Sequence, residues 1–271
     1  MKSWPLITAV LVTVIVLIIS LLEPAWLESW ATERNLANRL QPPLSAGHLL
    51  GTDGLGRDVL ARLLLGARHT FGIAAAATLI AASLGIAAGV LAAIGPALLR
   101  SAVGRIIDLT IAFPSLVLAV AMVAALGRGQ LTLALALGLF NWPVFARVTA
   151  AETRGVLAQQ YVTAARAFGV SPWRIVTAHV LPVIAPTLAV VVAFQFATLL
   201  ISTAGLSFLG LGPGLGVPEW GAMLAEARAE MNQAPWLMLG PAIAIAWTVL
   251  LMNALGERVA RRSRVAGNEL L

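Results

Sequence analysis

The sequence predicts an all-α membrane protein with six transmembrane helices, and two observations lead to this fold class. Of the 271 residues, 59% are hydrophobic and only 11% are charged, whereas roughly a quarter of the residues in a soluble domain are charged. Six apolar segments each approach the roughly 20 residues that a helix needs to cross a bilayer. Helices are the expected spanning form because backbone polar groups in lipid must be satisfied internally. The predicted spans are residues 5–22, 71–98, 106–127, 130–149, 183–208 and 236–256.

The spans divide the chain into four parts. Residues 1–22 are predicted to form an N-terminal transmembrane helix. A cleaved signal peptide is the alternative, but the apolar run is long and the Glu-Pro-Ala-Trp sequence at 23–26 is a poor cleavage site. Residues 23–70 form a periplasmic or extracellular loop, which is too long for a tight connection and is expected to carry short helices. Residues 71–260 form the membrane core, and residues 261–271 form a cytoplasmic tail.

The distribution of basic residues predicts the orientation. If both termini are cytoplasmic, the inside segments hold eleven Lys and Arg residues and the outside segments hold seven. Cytoplasmic loops carry an excess of Lys and Arg, so this orientation is favoured. Five of the outside arginines lie in the long loop 23–70, where basic residues have less weight. The formal net charge of +6 is therefore typical of cytoplasmic loops rather than of nucleic-acid binding. The polar stretch 161–182 is then cytoplasmic.

Several chemical functions have no support in the sequence. There are no cysteines, so disulfides and thiol chemistry are excluded. The sequence has no phosphate-binding G-x-x-x-x-G-K-[ST] loop and no hydrolase or metalloprotease motif. We therefore expect no enzyme activity, no catalytic residue and no metal ligand. His48, His69 and His179 are scattered and are expected to be structural. Within the spans, only Asp108 and Arg147 are candidates for a proton relay. A proton-driven carrier usually needs several such buried ionisable residues, so this class is disfavoured.

Small residues and prolines mark helix packing in the spans. Gly85 and Gly89 form a G-x-x-x-G motif, which allows close approach of helices. Packing within the chain is favoured over a dimer contact. The prolines that are expected to mark kinks within or at the edges of spans are Pro114, Pro143, Pro186 and Pro241.

The polar stretch 161–182 has the pattern of a helix, a turn and a second helix. One face is apolar at i, i+3, i+4 and i+7 spacing, which is typical of a helix that packs on a partner. Gly169 suits a helix end. Ser171 suits an N-cap and Pro172 the first helical position. The apolar face consists of Tyr161, Ala164, Ala165 and Phe168.

This stretch resembles the EAA signature of ATP-binding-cassette (ABC) importer permeases. The matching residues are Thr163-Ala-Ala, Gly169 and, after nine residues, His179-Val-Leu-Pro182. In that family the signature is the cytoplasmic coupling helix, which sits in a groove of the ATPase subunit. Thr163 replaces the glutamate of the signature, and His179 stands where isoleucine is usual. A contact through a carboxylate at 163 is therefore excluded.

Two further segments resemble the dipeptide/oligopeptide/nickel permease family, in particular its second, C-type subunit. The resemblance covers residues 45–260. The outside-loop motif consists of Gly51, Thr52, Asp53, Gly56, Arg57, Asp58 and Arg68. The motif of the fifth span and the following loop consists of Gly205, Ser207, Phe208, Gly210, Gly212, Trp220 and Gly221.

The resemblance implies a type I ABC-importer permease in a bacterial inner membrane. The expected partners are a homologous second permease in a heterodimer, two ATPase subunits and an extracytoplasmic solute-binding protein. ATP and Mg²⁺ are expected on the ATPase subunits, and no cofactor on this chain. The expected ATPase-coupling residues are the stretch's apolar face together with Thr163, Arg166, Gly169, Arg174, His179 and Pro182. Arg166 and Arg174 are expected to meet either ATPase carboxylates or lipid headgroups and water.

The solute is left open between peptides, nickel and a metal–chelator (metallophore) complex. Thr203-Ala-Gly205 stands before the Leu-Ser-Phe-Leu motif, and this leans toward the nickel or metallophore branch. Asp53, Arg57 and Asp58 are expected to form an ion-pair network that fixes the outside loop rather than to contact solute. Two alternatives from other classes are a stand-alone secondary carrier or channel and a membrane scaffold or insertion factor.

Overall fold

The structure is a computed structural model that describes residues 4–22, 24–45, 47–214 and 216–268. These residues form eleven α-helices and no sheet, with a 3-10 turn at Leu36–Asn38 and a π-helical turn at Val176–Val180. The helices are α1 (Trp4–Leu22), α2 (Ala25–Thr32), α3 (Val59–Ile94), α4 (Ala97–Ala112), α5 (Ser115–Leu126), α6 (Gln130–Leu157), α7 (Gln160–Ala167), α8 (Pro172–Ile175), α9 (Leu181–Phe208), α10 (Trp220–Ala229) and α11 (Trp236–Asn268).

The helices agree with six predicted spans. Four continuous helices in the described chain are long and apolar enough to cross a membrane, and six spans result when each of two bent pairs counts as one. The first bent pair is α1 with α2, at 85°, and the second is α4 with α5, at 84°. Pro114 lies at the second break, where Phe113 has extended backbone (φ −102°, ψ 139°). The predicted kink at Pro114 is therefore confirmed, because a residue before proline is displaced from the helical region.

Two helices extend beyond the predicted spans. Helix α3 begins at Val59, well before the predicted span start at 71, because Asp58 caps it: its Oδ1 accepts a hydrogen bond from the Ala61 N–H at 2.7 Å. Helix α11 continues through the predicted tail as far as Asn268. Residues 1–3 and 269–271, at the predicted cytoplasmic termini, lie outside the described residues.

The chain divides into two compact units, whose boundaries fall within helices. The first unit comprises residues 1–75, 120–134 and 197–252, and the second comprises residues 76–119, 135–196 and 253–271. In the first unit, Leu27 and Ala31 of α2 pack against Ala61 and Leu65 of α3. The short helix α2 is thus fixed by a small apolar contact, as expected for a helix too short to be stable alone.

The G-x-x-x-G motif packs within the second unit. A Cβ atom on Gly85 would collide with the Trp142 carbonyl and with Phe145, and one on Gly89 would collide with Ala146 and Thr149. The two glycines therefore let α3 lie directly against the backbone of α6, so the predicted packing within the chain is confirmed. In the same unit, Arg147 Nη2 donates to Asp108 Oδ1 at 2.7 Å. The two ionisable residues predicted within spans are thus paired with each other.

Candidate functional site

The polar stretch folds as predicted at its turn. Helix α7 ends at Ala167, and Gly169 has a φ of +78°, in the left-handed region that glycine favours. The Val170 N–H donates to the Ala165 carbonyl at 3.1 Å, and the Gly169 N–H donates to the Arg166 carbonyl at 2.9 Å. This pair of bonds is a Schellman motif, which satisfies carbonyls that a helix end otherwise leaves free.

The second helix of the stretch is not an independent element. Ser171 caps α8, with its Oγ accepting from the Arg174 N–H at 3.4 Å, and Pro172 holds the first helical position. Helix α8 then continues through the π-helical turn at Val176–Val180 into α9. The long helical run from Pro172 to Phe208 therefore begins at the turn. A displacement of the turn can pass along this run because no loop intervenes.

The residues that anchor the stretch are not those of the apolar face predicted from the i, i+3, i+4 and i+7 spacing. Val162, Ile175 and Val180 are buried and pack with Val156 and Ile184 of the flanking helices. The predicted apolar face remains exposed: Tyr161 is 48% exposed and Phe168 is 88% exposed. Trp173, which the sequence analysis did not select, is 71% exposed. The stretch therefore presents large aromatic side chains outward while a separate aliphatic face fixes it to the second unit.

The polar residues of the stretch lie around this aromatic surface. Thr163 turns back on its own helix, where its Oγ1 donates to the Gln159 carbonyl at 3.4 Å. Arg166 and Arg174 are exposed, and neither forms an ion pair within the described part of the chain. His179 is half-buried, and its ring lies 6.1 Å from that of Tyr161 in an edge-on arrangement. The exposed Pro182 lies at the start of α9.

The outside-loop motif assembles a buried ion-pair cluster in the first unit. Asp53 Oδ2 accepts from Arg57 Nε at 2.7 Å and from Arg62 Nη1 at 2.6 Å. Glu226 Oε2 accepts from Arg57 Nη2 at 3.0 Å and from Arg62 Nη1 at 2.6 Å. This cluster ties the loop before α3 to α10, which lies far along the chain. The predicted ion pair of Asp53 with Arg57 is present.

Other residues of the motif have separate roles. Asp58 is not part of the cluster, since its Oδ2 lies 2.7 Å from His48 Nδ1 and its Oδ1 caps α3. The Thr52 hydroxyl donates to the Asn38 carbonyl. Gly51 and Gly56 have φ of +76°, and a Cβ on either would collide with the backbone at Gln41 or Asn35. The Arg68 backbone N–H donates to Ser20 Oγ at 3.0 Å, which links α3 to α1.

The motif of the fifth span and its loop is structural. Gly210 (φ +82°) closes α9 in a second Schellman arrangement, with Leu211 N–H bonded to the Leu206 carbonyl at 2.9 Å. The Phe208 ring lies under the Arg228 guanidinium, 5.3 Å from its centroid. Gly205 has open space on its Cβ side. The tight contacts are those of Gly212 with Ser207 and of Gly221 with the backbone of Ala204.

Trp220 and its neighbour Glu219 fix α10. The Trp220 indole donates to the Leu63 carbonyl at 2.9 Å. Glu219, to which the sequence analysis gave no role, is fully buried and caps α10 by accepting from the Gly221 and Ala222 N–H groups. The N–H groups that it caps are close in sequence, so an N-cap pattern before the helix is the signal that could have found it.

Two charged residues of the cluster were also missed. Arg62 lies between the motif residues Asp58 and Arg68 and was given no role, and Glu226 lies 164 residues from it in the sequence. A single sequence carries no signal that brings such distant residues together. Within the described residues, no group of three or more His, Asp or Glu residues is placed to hold a metal ion.

The family follows from comparison with known sequences. Residues 85–265 match the family described as "Binding-protein-dependent transport system inner membrane component". The glutathione transport system permease protein GsiD of Pectobacterium atrosepticum is 37% identical over 220 residues, which cover 81% of this chain and 73% of that protein. The dipeptide transport system permease protein DppC of Alkalihalophilus pseudofirmus is 34% identical over 241 residues, covering 89% of this chain and 79% of that protein.

Solved structures support the same fold. The permease fold of the inward-facing MetNI methionine ABC transporter matches with a TM-score of 0.63 at 21% identity, over 74% of this chain and 96% of that chain. An amino acid ABC transporter with histidines matches with a TM-score of 0.53 at 15% identity, over 76% of this chain and 94% of that chain. At these identities the likeness concerns the fold.

These findings define a multi-pass inner membrane protein of the type I ABC-importer permease fold. The chain belongs to the family of binding-protein-dependent transport system inner membrane components. Proteins of this class are translocation subunits, and separate partner subunits hydrolyse ATP. The chain is therefore a permease subunit and not an enzyme, and its importer includes ATPase and solute-binding partners. The stand-alone carrier and the scaffold are overturned by this family membership.

Proposed function

We propose that this permease forms half of the translocation pore of an importer for small peptides. The observation that carries the proposal is the pair of relatives named for glutathione and for a dipeptide, at 37% and 34% identity over most of this chain. Glutathione and dipeptides are both short peptides, and short peptides are therefore the solute class that we propose for this chain. The relatives argue against the leaning toward nickel or a metallophore that was drawn from Thr203-Ala204-Gly205.

The proposed pore lies between this chain and a second, homologous permease. Many exposed side chains of α1, α4 and α5 are large and apolar, among them Leu11, Leu109 and Val117. Such surface needs lipid or another apolar protein against it. A heterodimer of two homologous permeases within the bilayer supplies both kinds of contact.

The proposed orientation has both termini in the cytoplasm, and it is supported by the excess of basic residues in the predicted inside segments. It places the stretch 161–182 in the cytoplasm. The ion-pair cluster then lies outside, in the loops 23–70 and 209–235 on which we expect the solute-binding protein to dock. Solute would be released there into a pore that opens outward.

The coupling surface for the ATPase subunits is the aromatic face of the stretch. Phe168 and Trp173 leave most of their large apolar rings exposed, and exposed aromatic side chains are the usual anchors of protein interfaces. Because residue 163 is threonine, contact is made by shape and apolar burial. Arg166 and Arg174 are free to pair with ATPase carboxylates. ATP and Mg²⁺ bind the ATPase subunits, whose closure moves the stretch and, through α8 and α9, the pore.

Reconstitution tests this function directly. Proteoliposomes would contain this chain, the second permease and the two ATPases, with ATP inside the vesicles and the solute-binding protein and solute outside. We expect ATP-dependent uptake of labelled dipeptide or glutathione and no uptake of labelled Ni²⁺. Vesicles with this chain alone are the control and should show neither. Uptake of Ni²⁺ but not of peptide by the full complex would contradict the proposed solute class.

A further inference from the structure

The first unit contains a small apolar pocket between α1, α3, α10 and α11. Its volume is about 110 Å³. An apolar cavity of about 150 Å³ admits a ligand such as benzene, so this pocket has room for a short segment of hydrocarbon. The side chains that line it come from all four helices and include Val16, Leu64, Phe71, Trp220, Ala244 and Trp247.

The polar side chains of the lining are all bonded within the protein. The Thr13 and Thr248 hydroxyls each donate to the backbone carbonyl four residues earlier, at 3.0 and 2.8 Å. The Trp247 indole donates to Thr13 Oγ1 at 3.2 Å, and the Trp220 indole donates to the backbone of α3 at 2.9 Å. The lining therefore offers a ligand no free side-chain donor, and it suits a pure hydrocarbon.

The pocket lies at the depth of lipid acyl chains. Thr13 and Trp247 stand near the midpoints of the predicted spans 5–22 and 236–256. The middle of a bilayer consists of hydrocarbon and contains no water. An apolar cavity stays dry in any case, and empty space beside its lining forfeits van der Waals contacts. Depth and lining thus favour the same occupant.

The pocket opens onto the large apolar side chains of α1 and α11. Val12 and Trp247 both line the pocket, and each is about half exposed. Ile15, Ile243 and Leu250 lie one turn away from them along these helices and are exposed as well. Helix contacts within membranes are enriched in small residues, which let backbones approach closely. The large side chains around this opening therefore favour lipid over a helix of the second permease.

We propose that this pocket holds the end of an acyl chain from a bilayer phospholipid. The chain lies against Phe71 and Trp220, whose rings meet edge-on with centroids 5.7 Å apart. Since Trp220 also fixes α10 to α3, the lipid fills the space beside this anchor. Binding needs no particular headgroup, because the contacts are apolar. The inference is independent of the transported solute.

The test uses the complete importer in nanodiscs of phosphatidylethanolamine and phosphatidylglycerol. A small fraction of the phosphatidylethanolamine carries a diazirine near the end of one acyl chain. Illumination attaches this chain to the side chains that it touches, and mass spectrometry of the digested protein locates them. In the wild type we expect labelling of the pocket residues Val16 and Phe71. Labelling of the exposed Leu250 reports contact with bulk lipid.

Ala244→Phe should abolish the labelling of the pocket, because a phenyl ring takes the space of the chain end. Ala244→Val should reduce it in part, and this smaller change keeps the test valid if the phenylalanine variant does not assemble. Ala246→Phe is the matched control, because Ala246 is exposed on the same helix and does not line the pocket. This variant should be labelled like the wild type.

Three outcomes would overturn the proposal. In the first, Leu250 is labelled in the wild type while Val16 and Phe71 are not. In the second, both Ala244 variants are labelled in the pocket as strongly as the wild type. In the third, the pocket is labelled in this permease alone but not in the complete importer, which would assign it to a side chain of the second permease.

Discussion

At the residue scale, Glu219 is a fully buried carboxylate that joins two helices. Its Oε1 accepts from the Thr70 hydroxyl at 3.1 Å and from the Gly221 N–H at 3.0 Å, while Oε2 accepts from the Ala222 N–H at 2.9 Å. One side chain thus caps α10 and links it to α3. A buried donor that loses its acceptor has no water to replace it, which makes each of these bonds costly to remove.

We expect Glu219→Ala to lower the free energy of unfolding by about 2 kcal/mol, the sum of a lost N-cap and an unsatisfied hydroxyl. Glu219→Gln retains one acceptor oxygen and should lose less. Glu257→Ala is the control, because Glu257 is exposed and its pairing with Arg261 at 3.6 Å is weak. Unfolding in detergent, followed by circular dichroism, measures all three. An effect of Glu219→Ala no larger than that of Glu257→Ala would contradict the capping role.

A second residue-scale prediction concerns the proposed coupling surface. Phe168→Ala should weaken binding of the ATPase subunits by about tenfold or more, because exposed aromatic anchors dominate protein interfaces. The fold should be unaffected, since the Phe168 side chain is 88% exposed. Phe113→Ala provides the control, being another exposed phenylalanine of the second unit. Binding of purified ATPase to the permease pair, measured in detergent, distinguishes the variants. Equal affinities for the Phe168 and Phe113 variants would remove Phe168 from the interface.

At the element scale, the turn between α7 and α8 depends on one backbone conformation. Gly169 has open space where a Cβ would lie, so a side chain there meets no neighbour and any penalty comes from its positive φ. For residues other than glycine this conformation costs roughly 1–2 kcal/mol, with asparagine penalised less. The angle between α7 and α8 depends on this residue, and so does the position of the aromatic face.

The series Gly169→Asn, Gly169→Ala and Gly169→Val should progressively uncouple ATP hydrolysis from peptide uptake while the protein stays in the membrane. Gly155→Ala is the control, because Gly155 is also without close neighbours and lies in α6 with ordinary helical backbone. The measured quantity is the ratio of peptide taken up to ATP hydrolysed in proteoliposomes. Wild-type ratios throughout the Gly169 series would refute the coupling assignment of this turn.

The same elements show which features local sequence predicts. The Gly169 turn, the Ser171 cap and the Gly85–Gly89 contact follow from local rules, because one residue type is strongly preferred at each position. The start of α3 was missed because its first residues carry charges, Arg62 among them, that end an apolar window. Burial of Arg62 depends on Asp53 and Glu226. Glu226 is distant in sequence, so no window of hydropathy reveals the cluster.

At the scale of the whole molecule, hydropathy predicts the number of spans and the distribution of basic residues predicts the orientation in the membrane. Six spans follow from segment length alone, since a bilayer sets the length of a helix that crosses it. The bend at Pro114 follows from the proline, but the bend between α1 and α2 and the two compact units do not follow, because they depend on packing between helices. The predicted orientation depends on the count of basic residues, and it determines on which side every proposed partner binds.

The absence of cysteine from the sequence provides a clean background for testing that orientation. Leu44→Cys places a thiol at a side chain that is 83% exposed in the loop before α3, and Ala158→Cys places one at an exposed position between α6 and α7. With both termini cytoplasmic, a membrane-impermeant maleimide added to intact spheroplasts should label Leu44→Cys and leave Ala158→Cys unlabelled. Permeabilised cells should then yield labelling of Ala158→Cys, and the cysteine-free chain should stay unlabelled in both conditions. The reverse pattern would invert the topology. It would place the aromatic face of the 161–182 stretch outside, beyond the reach of any ATPase, and the ion-pair cluster of the first unit in the cytoplasm.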